Sequence, residues 1–422
     1  MEAVHASPAA TAPEYLGWLE SLPDGHPEWK RLAGHLTVGE TYFFRDGPCF
    51  RALREHVLAP LVAARRAAGI RRLRLWSAGC ATGEEAYSLA IVLDDCLPEW
   101  SLWAVTILAT DINAAALETA RCGVYREWSF RQTPPWLRDR YFCRREPGSW
   151  ELVPRIRQMV TFVPLNLAAD GYPSILTNTT AMDVVVCRNV LMYFTPAAQR
   201  AAAARLAASL VPGGWLVVSP ADAPGHAYAL LAPVNFPGAM FYRKDAEAAT
   251  AGSRPGPDAT DLPEWLDIPA DTMPTASTPP APGRLADEPA GCPSDLERAR
   301  ELADQGSLEK ARLLCEAALE RDRLDPEAHI LLAAICQERG DITSAVEALR
   351  RVIYLAPDSA PAHFLMGSLL LRQGERALAR RCMETVVDLL DSASPDEVIR
   401  SSDGLMAGRL LETARAYLEL PS

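Results

Sequence analysis

Along the first 244 residues, apolar and polar positions alternate between two kinds of pattern. Short apolar runs at Leu73–Ser77, Val105–Ala109, Val160–Pro164 and Asp183–Cys187 predict buried strands. Between and after them the apolar positions recur at helical spacing, predicting helices at Glu84–Cys96, Ala114–Arg121 and Pro196–Leu210. A turn at Pro212-Gly213-Gly214 leads to a further strand, Trp215–Ser219, and Phe241–Arg243 is expected as a last edge strand. Residues 13–72 read as helices, the last of them rich in arginine (Arg51, Arg54, Arg65, Arg66). Strand and helix alternating in this way predict a parallel sheet with helices on both faces. Ligands of such sheets bind at the carboxyl ends of the strands.

The pattern changes twice in the second half. Residues 245–291 hold Pro255, Pro257, Pro263, Pro269, Pro274, Pro279, Pro280, Pro282 and Pro289 among small and polar residues. Such a stretch buries little and reads as an extended linker. Beyond it, Gly306, Gly340 and Gly374 are spaced by 34 residues, and so are Ala311, Ala345 and Ala379. Two independent markers at one period predict a repeat of helix, glycine turn and helix. It resembles the tetratricopeptide repeat over about 292–391, with Gly404–Leu418 as a capping helix. Such arrays usually offer a concave surface to a peptide or helix. The organisation expected is therefore a helical segment (1–72), a sheet-bearing domain (73–244) with a small β subdomain near 124–160, a linker (245–291) and repeats (292–422).

Charge and cysteine usage narrow the partners. The net charge of −12 is the sum of −14 from Asp245 onwards and +2 before it, which argues against nucleic acid as partner. Within the first part, 121–157 carries nine arginines against four acidic residues, either a solvated face or a surface for an acidic protein. The ten cysteines include no C-x-x-C pair, so neither a metal site nor a disulfide framework is expected. No apolar run approaches the roughly 20 residues that span a bilayer, and the N-terminus has no secretory pattern; the expected location is the cytoplasm.

Candidate chemistry collects at the predicted strand ends. The turn Gly79-Cys80-Ala81-Thr82-Gly83 offers backbone amides and glycines without a Cβ, yet it is neither a G-x-G-x-x-G fingerprint nor a phosphate loop. Thr82 and Glu85 also fit a capping box. Asp111, after the second strand, can accept from both hydroxyls of a ribose or cap the helix at Ala114. Asn166 follows the third strand and Arg188-Asn189 the fourth, so four neighbouring strand ends outline an adenosine-sized pocket.

In order, Thr41-Tyr42-Phe43-Phe44-Arg45-Asp46, the block from Trp76 to Ala90, Ala109–Asn113, Leu165-Asn166-Leu167 and Cys187–Phe194 resemble the CheR family of chemotaxis methyltransferases, over about 38–244. That resemblance implies a class I, Rossmann-like methyltransferase fold that binds S-adenosylmethionine, releases S-adenosylhomocysteine and methylates glutamate side chains on the cytoplasmic helices of methyl-accepting receptors. It implies cofactor roles for Thr41, Arg45, Gly79, Glu85, Asp111, Asn166, Leu167, Arg188 and Asn189, and places Arg45 and Tyr193 beside the reacting methyl group. Methyl transfer from a sulfonium to a carboxylate annihilates both charges, so no metal is implied and positioning is most of the task. An arginine can fork onto the incoming carboxylate, and a tyrosine can orient it.

The chain departs from the family pattern in four places. Gly39 stands where Asn is common, and the helical segment before it is short. Arg144-Arg145-Glu146-Pro147-Gly148-Ser149-Trp150 lacks the extra glycines of members that bind a receptor pentapeptide, and Ser219-Pro220-Ala221-Asp222 replaces Gly-His-Ser-Glu. With that loop missing, the repeats are expected to recruit receptors or other chemosensory proteins. The competing expectation is a non-catalytic scaffold that senses S-adenosylmethionine or S-adenosylhomocysteine.

Overall fold

The computed structural model describes residues 11–22, scattered positions of 28–37, 39–222, 228, 231–244, 294–395, 397–399 and 406–418; the proline-rich stretch 245–291 lies outside them. Helices α1 (Ala12–Glu20), α2 (Gly47–Ala52) and α3 (Ala59–Ala67) precede the first strand, with a π-helical stretch at Leu53–Leu58 between the last two.

A seven-stranded sheet follows, of β1 (Arg72–Ala78), β2 (Ala104–Asp111), β6 (Val160–Pro164), β7 (Met182–Cys187), β8 (Leu210–Val218), β9 (Ala232–Phe236) and β10 (Ala239–Arg243). Its spatial order is β6-β2-β1-β7-β8-β10-β9. The first five strands run parallel, and the last two return antiparallel, so the sheet is mixed rather than purely parallel. Phe241–Arg243 is not the edge. Strand β9, whose polar alternation and Pro233 gave a weak signal, takes that place. Pro212-Gly213-Gly214 does not separate helix from strand either; it is a bulge within β8, where the register to β7 shifts between Met182 and Val184.

Strand β1 is buried along its whole length because it lies inside the sheet. Helices α4 (Glu84–Cys96), α5 (Ala114–Cys122) and α8 (Pro196–Ser209) flank the sheet. A second sheet, β3 (Val124–Arg126), β4 (Phe142–Glu146) and β5 (Ser149–Leu152), is accompanied by α6 (Pro135–Tyr141) and α7 (Pro154–Arg157). Gly148 turns the β4–β5 hairpin at φ +77°.

The C-terminal part is an array of helix pairs: α9 (Asp295–Asp304) with α10 (Leu308–Arg321), α11 (Pro326–Glu338) with α12 (Ile342–Leu355), and α13 (Ala360–Arg372) with α14 (Arg376–Leu390). Helix α15 (Ala407–Leu418) packs on α14. The 34-residue glycines all have φ near +80°, the left-handed turn that ends each first helix, and the matching alanines are fully buried.

Helix α12 buries one stripe, Ala345, Ala348, Leu349 and Val352, whereas α11 is buried on nearly every side from Ala328 to Glu338. Its second cover is the sheet-bearing part. Ile175 and Leu176, from the loop between β6 and β7, join the two apolar clusters of the array. A Cβ on Gly340 would lie 3.2 Å from Ala104 at the start of β2, and one on Gly306 would lie 3.4 Å from Val211 at the start of β8. Glu338 is buried there. Its Oε1 accepts from Thr180 Oγ1 at 3.1 Å, and its carboxylate lies 3.7 Å from the Arg72 guanidinium and 3.9 Å from that of Arg74. The first two helix pairs thus dock against the amino-terminal ends of the strands, opposite the candidate site. Among the described residues, no helix is long and apolar enough to cross a membrane.

Candidate active site

At the carboxyl edge, the turn after β1 is held from below. Gly79 and Cys80 N–H both donate to Thr110 O, at 2.7 and 2.9 Å, and Gly83 N–H donates to Cys80 O. The amides of Gly79, Cys80 and Gly83 are therefore spent inside the protein. Gly79 is required for another reason: at φ +85°, a Cβ would fall 2.3 Å from Val190 Cγ2. The turn after β1 and the loop after β7 meet at that contact.

The capping box also fails to form. Gly83 is the N-cap of α4; Thr82 Oγ1 donates to Glu84, and Glu85 turns inward to accept from Ser77 Oγ at 2.8 Å. Burial lifts the Glu85 carboxyl to about 7 despite the opposing pull of Arg188. Asp111 is not a helix cap, since Asn113 caps α5. Instead its Oδ2 accepts from Ala81 N–H at 2.8 Å and its Oδ1 from Asn113 N–H at 2.9 Å, with burial raising its pKa. A carboxylate has about four acceptor sites, so Asp111 keeps capacity for a further donor. Asn166 Oδ1 accepts from Ala168 N–H, and the buried Leu167 gives its carbonyl to Tyr172 and Arg205.

The loop 41–46 carries the candidate catalytic arginine. Phe43 is fully buried and stacks on Phe130, and Phe44 N–H donates to Ser88 Oγ on α4. Phe44 and Asp46 have φ of +56° and +69°, a costly conformation that the surrounding packing enforces. Arg45 donates to Glu40 O. Arg188 Nη1 donates to Arg45 O at 2.7 Å, and its Nη2 donates to Asp46 at 2.9 Å. Asp46 thus pairs with Arg188 rather than with Arg45. The Arg188 Nε is buried without a partner. Thr41 is half-buried at the start of this loop.

Sequence reasoning missed Asp222 as an organiser. Its Oδ1 accepts from Val190, Leu191 and Met192 N–H, and its Oδ2 from Asn189 N–H and Ser219 Oγ. It stands where the family's motif has Glu, and it fixes Asn189, at φ +57°, and the short helical turn carrying Tyr193, whose ring is 59% exposed. Arg45 and Tyr193 are thereby linked through Arg188 and the segment that Asp222 holds. The mouth beside Arg45 is aromatic and cationic: Arg131 lies over the rings of Tyr42 and Trp128 at 3.8 and 4.4 Å.

These residues suit an adenosyl amino acid. Asp111 has acceptors left for a ribose; Glu85, a buried carboxyl whose ionised form lacks a full counter-charge, matches an ammonium, and the unpartnered Arg188 Nε is a donor left over in the same wall. Beyond Asp111, Ile112 and Asn166 line an open cleft whose far side is formed by α15.

Residues 39–227 match the model of the CheR methyltransferase SAM-binding domain, and 302–363 match a tetratricopeptide repeat. The chain is 30% identical over 389 residues to the probable biofilm formation methyltransferase WspC of Pseudomonas aeruginosa, covering 86% of this chain and 89% of that one. It is 37% identical over 193 residues to chemotaxis protein methyltransferase 1 of the same species, covering 44% and 67%. A stretch of 212 residues, half of this chain, is 38% identical to an uncharacterized 104.1 kDa protein of Rhodobacter capsulatus, of which the chain spans only 21%.

Proposed function

Because the chain belongs to the CheR family of S-adenosylmethionine-dependent methyltransferases, we propose that its acceptors are glutamate carboxylates on the cytoplasmic helices of methyl-accepting receptors, methylated in the cytoplasm. The observation that carries this reading is Arg45, held by its carbonyl to buried Arg188 at a mouth lined by Tyr42 and Trp128. S-adenosylmethionine supplies an electrophilic methyl group on a sulfonium. The protein has to bring one carboxylate oxygen into line with it and keep water out.

Arg45 provides a planar fork for that carboxylate, and exposed Tyr193 borders the same approach. Asp111 receives the ribose, Glu85 the ammonium, and Asn166 and Leu167 border the base. Thr41, Gly79 and Asn189 shape the rest of the cleft. Arg188 acts chiefly as a positioning residue, since two of its donors fix the 41–46 loop.

The repeats are proposed to hold the β6–β7 loop and the base of the sheet, because their first helices bury Ile175, Leu176 and the Arg72–Arg74 pair. A recruiting surface for receptors or other chemosensory proteins then belongs to the outer helices of the array.

The test is incubation with methyl-labelled cofactor and a receptor cytoplasmic fragment. Base-labile label on glutamate is expected. Tight cofactor binding with no transfer to any receptor fragment would favour a sensing scaffold.

A further inference from the structure

Helix α15 lies far along the chain from the cofactor residues, yet Arg409, Glu412 and Thr413 line one cleft with Ile112, Leu165 and Asn166. The sheet order explains why this cleft matters. Asp111 ends β2 and pairs with Pro164 of β6, so Ile112 and Leu165 continue that same pair of strand ends. On the other side of β2 stand β1 and β7, with Gly79 and Arg188 directly after their ends and Glu85 in the first turn of α4. A ribose on Asp111 with its amino-acid tail toward Glu85 therefore directs its base the other way, over Ile112 and Asn166, into the cleft faced by α15. The cleft is open to solvent at its mouth, so a base entering it is covered on one face by α15 and reached from outside on the other.

We propose that α15 is the outer wall of the nucleobase subsite and that Glu412 accepts from the exocyclic amine of adenine. The inference rests on the cofactor reading above. The polar groups on this wall differ in what they have left to offer. Thr413 Oγ1 already donates to Arg409 O, and Arg409 Nη1 pairs with Glu412 Oε2 at 3.1 Å. Glu412 is thus oriented by Arg409 and retains acceptor capacity, and a carboxylate has only acceptors to give. An amine in that position gains a charge-assisted bond; a carbonyl oxygen there faces a carboxylate with no proton between them. The subsite should consequently reject a hypoxanthine base. The wall also belongs to the array, whose α14 packs against α15, so the repeats contribute directly to cofactor binding.

The experiment is calorimetric titration of the full chain with S-adenosylhomocysteine and with S-inosylhomocysteine, which carries an oxo group in place of the amine. The wild-type chain should prefer the adenosyl ligand by about tenfold or more. In Glu412→Gln, whose amide can donate to the oxo group, the preference should shrink to about twofold or less, with the thermal midpoint unchanged because the Arg409 pair is half-exposed. Failure of the wild-type chain to bind S-adenosylhomocysteine would overturn the cofactor reading itself. Tight binding of both ligands with equal affinity, or a preference untouched by Glu412→Gln, would overturn only the role of α15.

Discussion

The Arg188 guanidinium holds the main-chain carbonyl of Arg45 at 2.7 Å while its other arm holds the Asp46 carboxylate at 2.9 Å. One side chain from the end of β7 thus fixes a loop more than a hundred residues earlier, in which Phe44 and Asp46 are strained. A lysine has the charge but not the fork. Arg188→Lys should lower kcat by about tenfold to a hundredfold, the scale of a misplaced reacting group, with a smaller change in the affinity for S-adenosylhomocysteine. Equal losses in both would make Arg188 a cofactor ligand first.

Arg45 itself should be the residue whose loss separates binding from chemistry. Arg45→Ala is expected to abolish methyl transfer while the thermal midpoint stays within about two degrees, because its side chain makes one polar contact, to Glu40 O. Steady-state turnover on a receptor fragment decides it, and unchanged turnover removes the role.

Glu85 gives the site a pH dependence. Its folded pKa of about 7 lies above the ordinary 4.5, so the cost of ionising it is absent below pH 4.5 and fully present above pH 7. That cost is about 3 kcal/mol by the linkage relation. An ammonium-bearing ligand prefers the ionised form. Affinity for S-adenosylhomocysteine should therefore fall about tenfold from pH 8 to pH 6, the proton competition of a single group with this pKa. Glu85→Gln should flatten the profile; a wild-type profile already flat would mean that Glu85 does not meet the ammonium.

Asp222 answers for the geometry around Tyr193. Asp222→Ala leaves several backbone N–H groups of 189–192 without acceptors and should cost about 3 kcal/mol or more, at roughly 1 kcal/mol or more for each group stranded. Urea titration reads the loss. A stability within error of wild type would show that the turn holds itself.

Glu338 is the matching case at the opposite edge. Glu338→Ala strands Arg72 and Arg74 without their counter-charge; Arg72 is already pushed below its ordinary pKa by burial. The expected loss is about 3 kcal/mol, seen as a thermal midpoint several degrees lower. No change would indicate that Asp183 and the 178–181 carbonyls satisfy both guanidiniums.

Much of this was legible in the sequence for physical reasons. Parallel inner strands such as Asp183–Cys187 are buried on both faces and leave unbroken apolar runs, and a positive φ at each glycine fixes the repeat period. What escaped notice depends on partners distant in sequence. Nothing local to Arg74 in β1 indicates what neutralises it; it is 1% exposed because Thr180, Asn178 and Glu338 converge on it. Asp222 shows only as an altered motif, since its worth lies in four amides some thirty residues away. The turn at Gly79 has fewer free amides than its sequence suggests, because Thr110 O, from the next strand, takes those of Gly79 and Cys80.

The loop 171–181 has a consequence for how the chain is made. Ile175 and Leu176 leave the ribosome long before α9, α11 and α13 exist to cover them, so the nascent sheet carries an uncovered apolar loop until synthesis is nearly finished. A fragment ended at Lys244 would keep that loop bare for good, and its yield and stickiness would report on the missing cover, whatever the repeats bind.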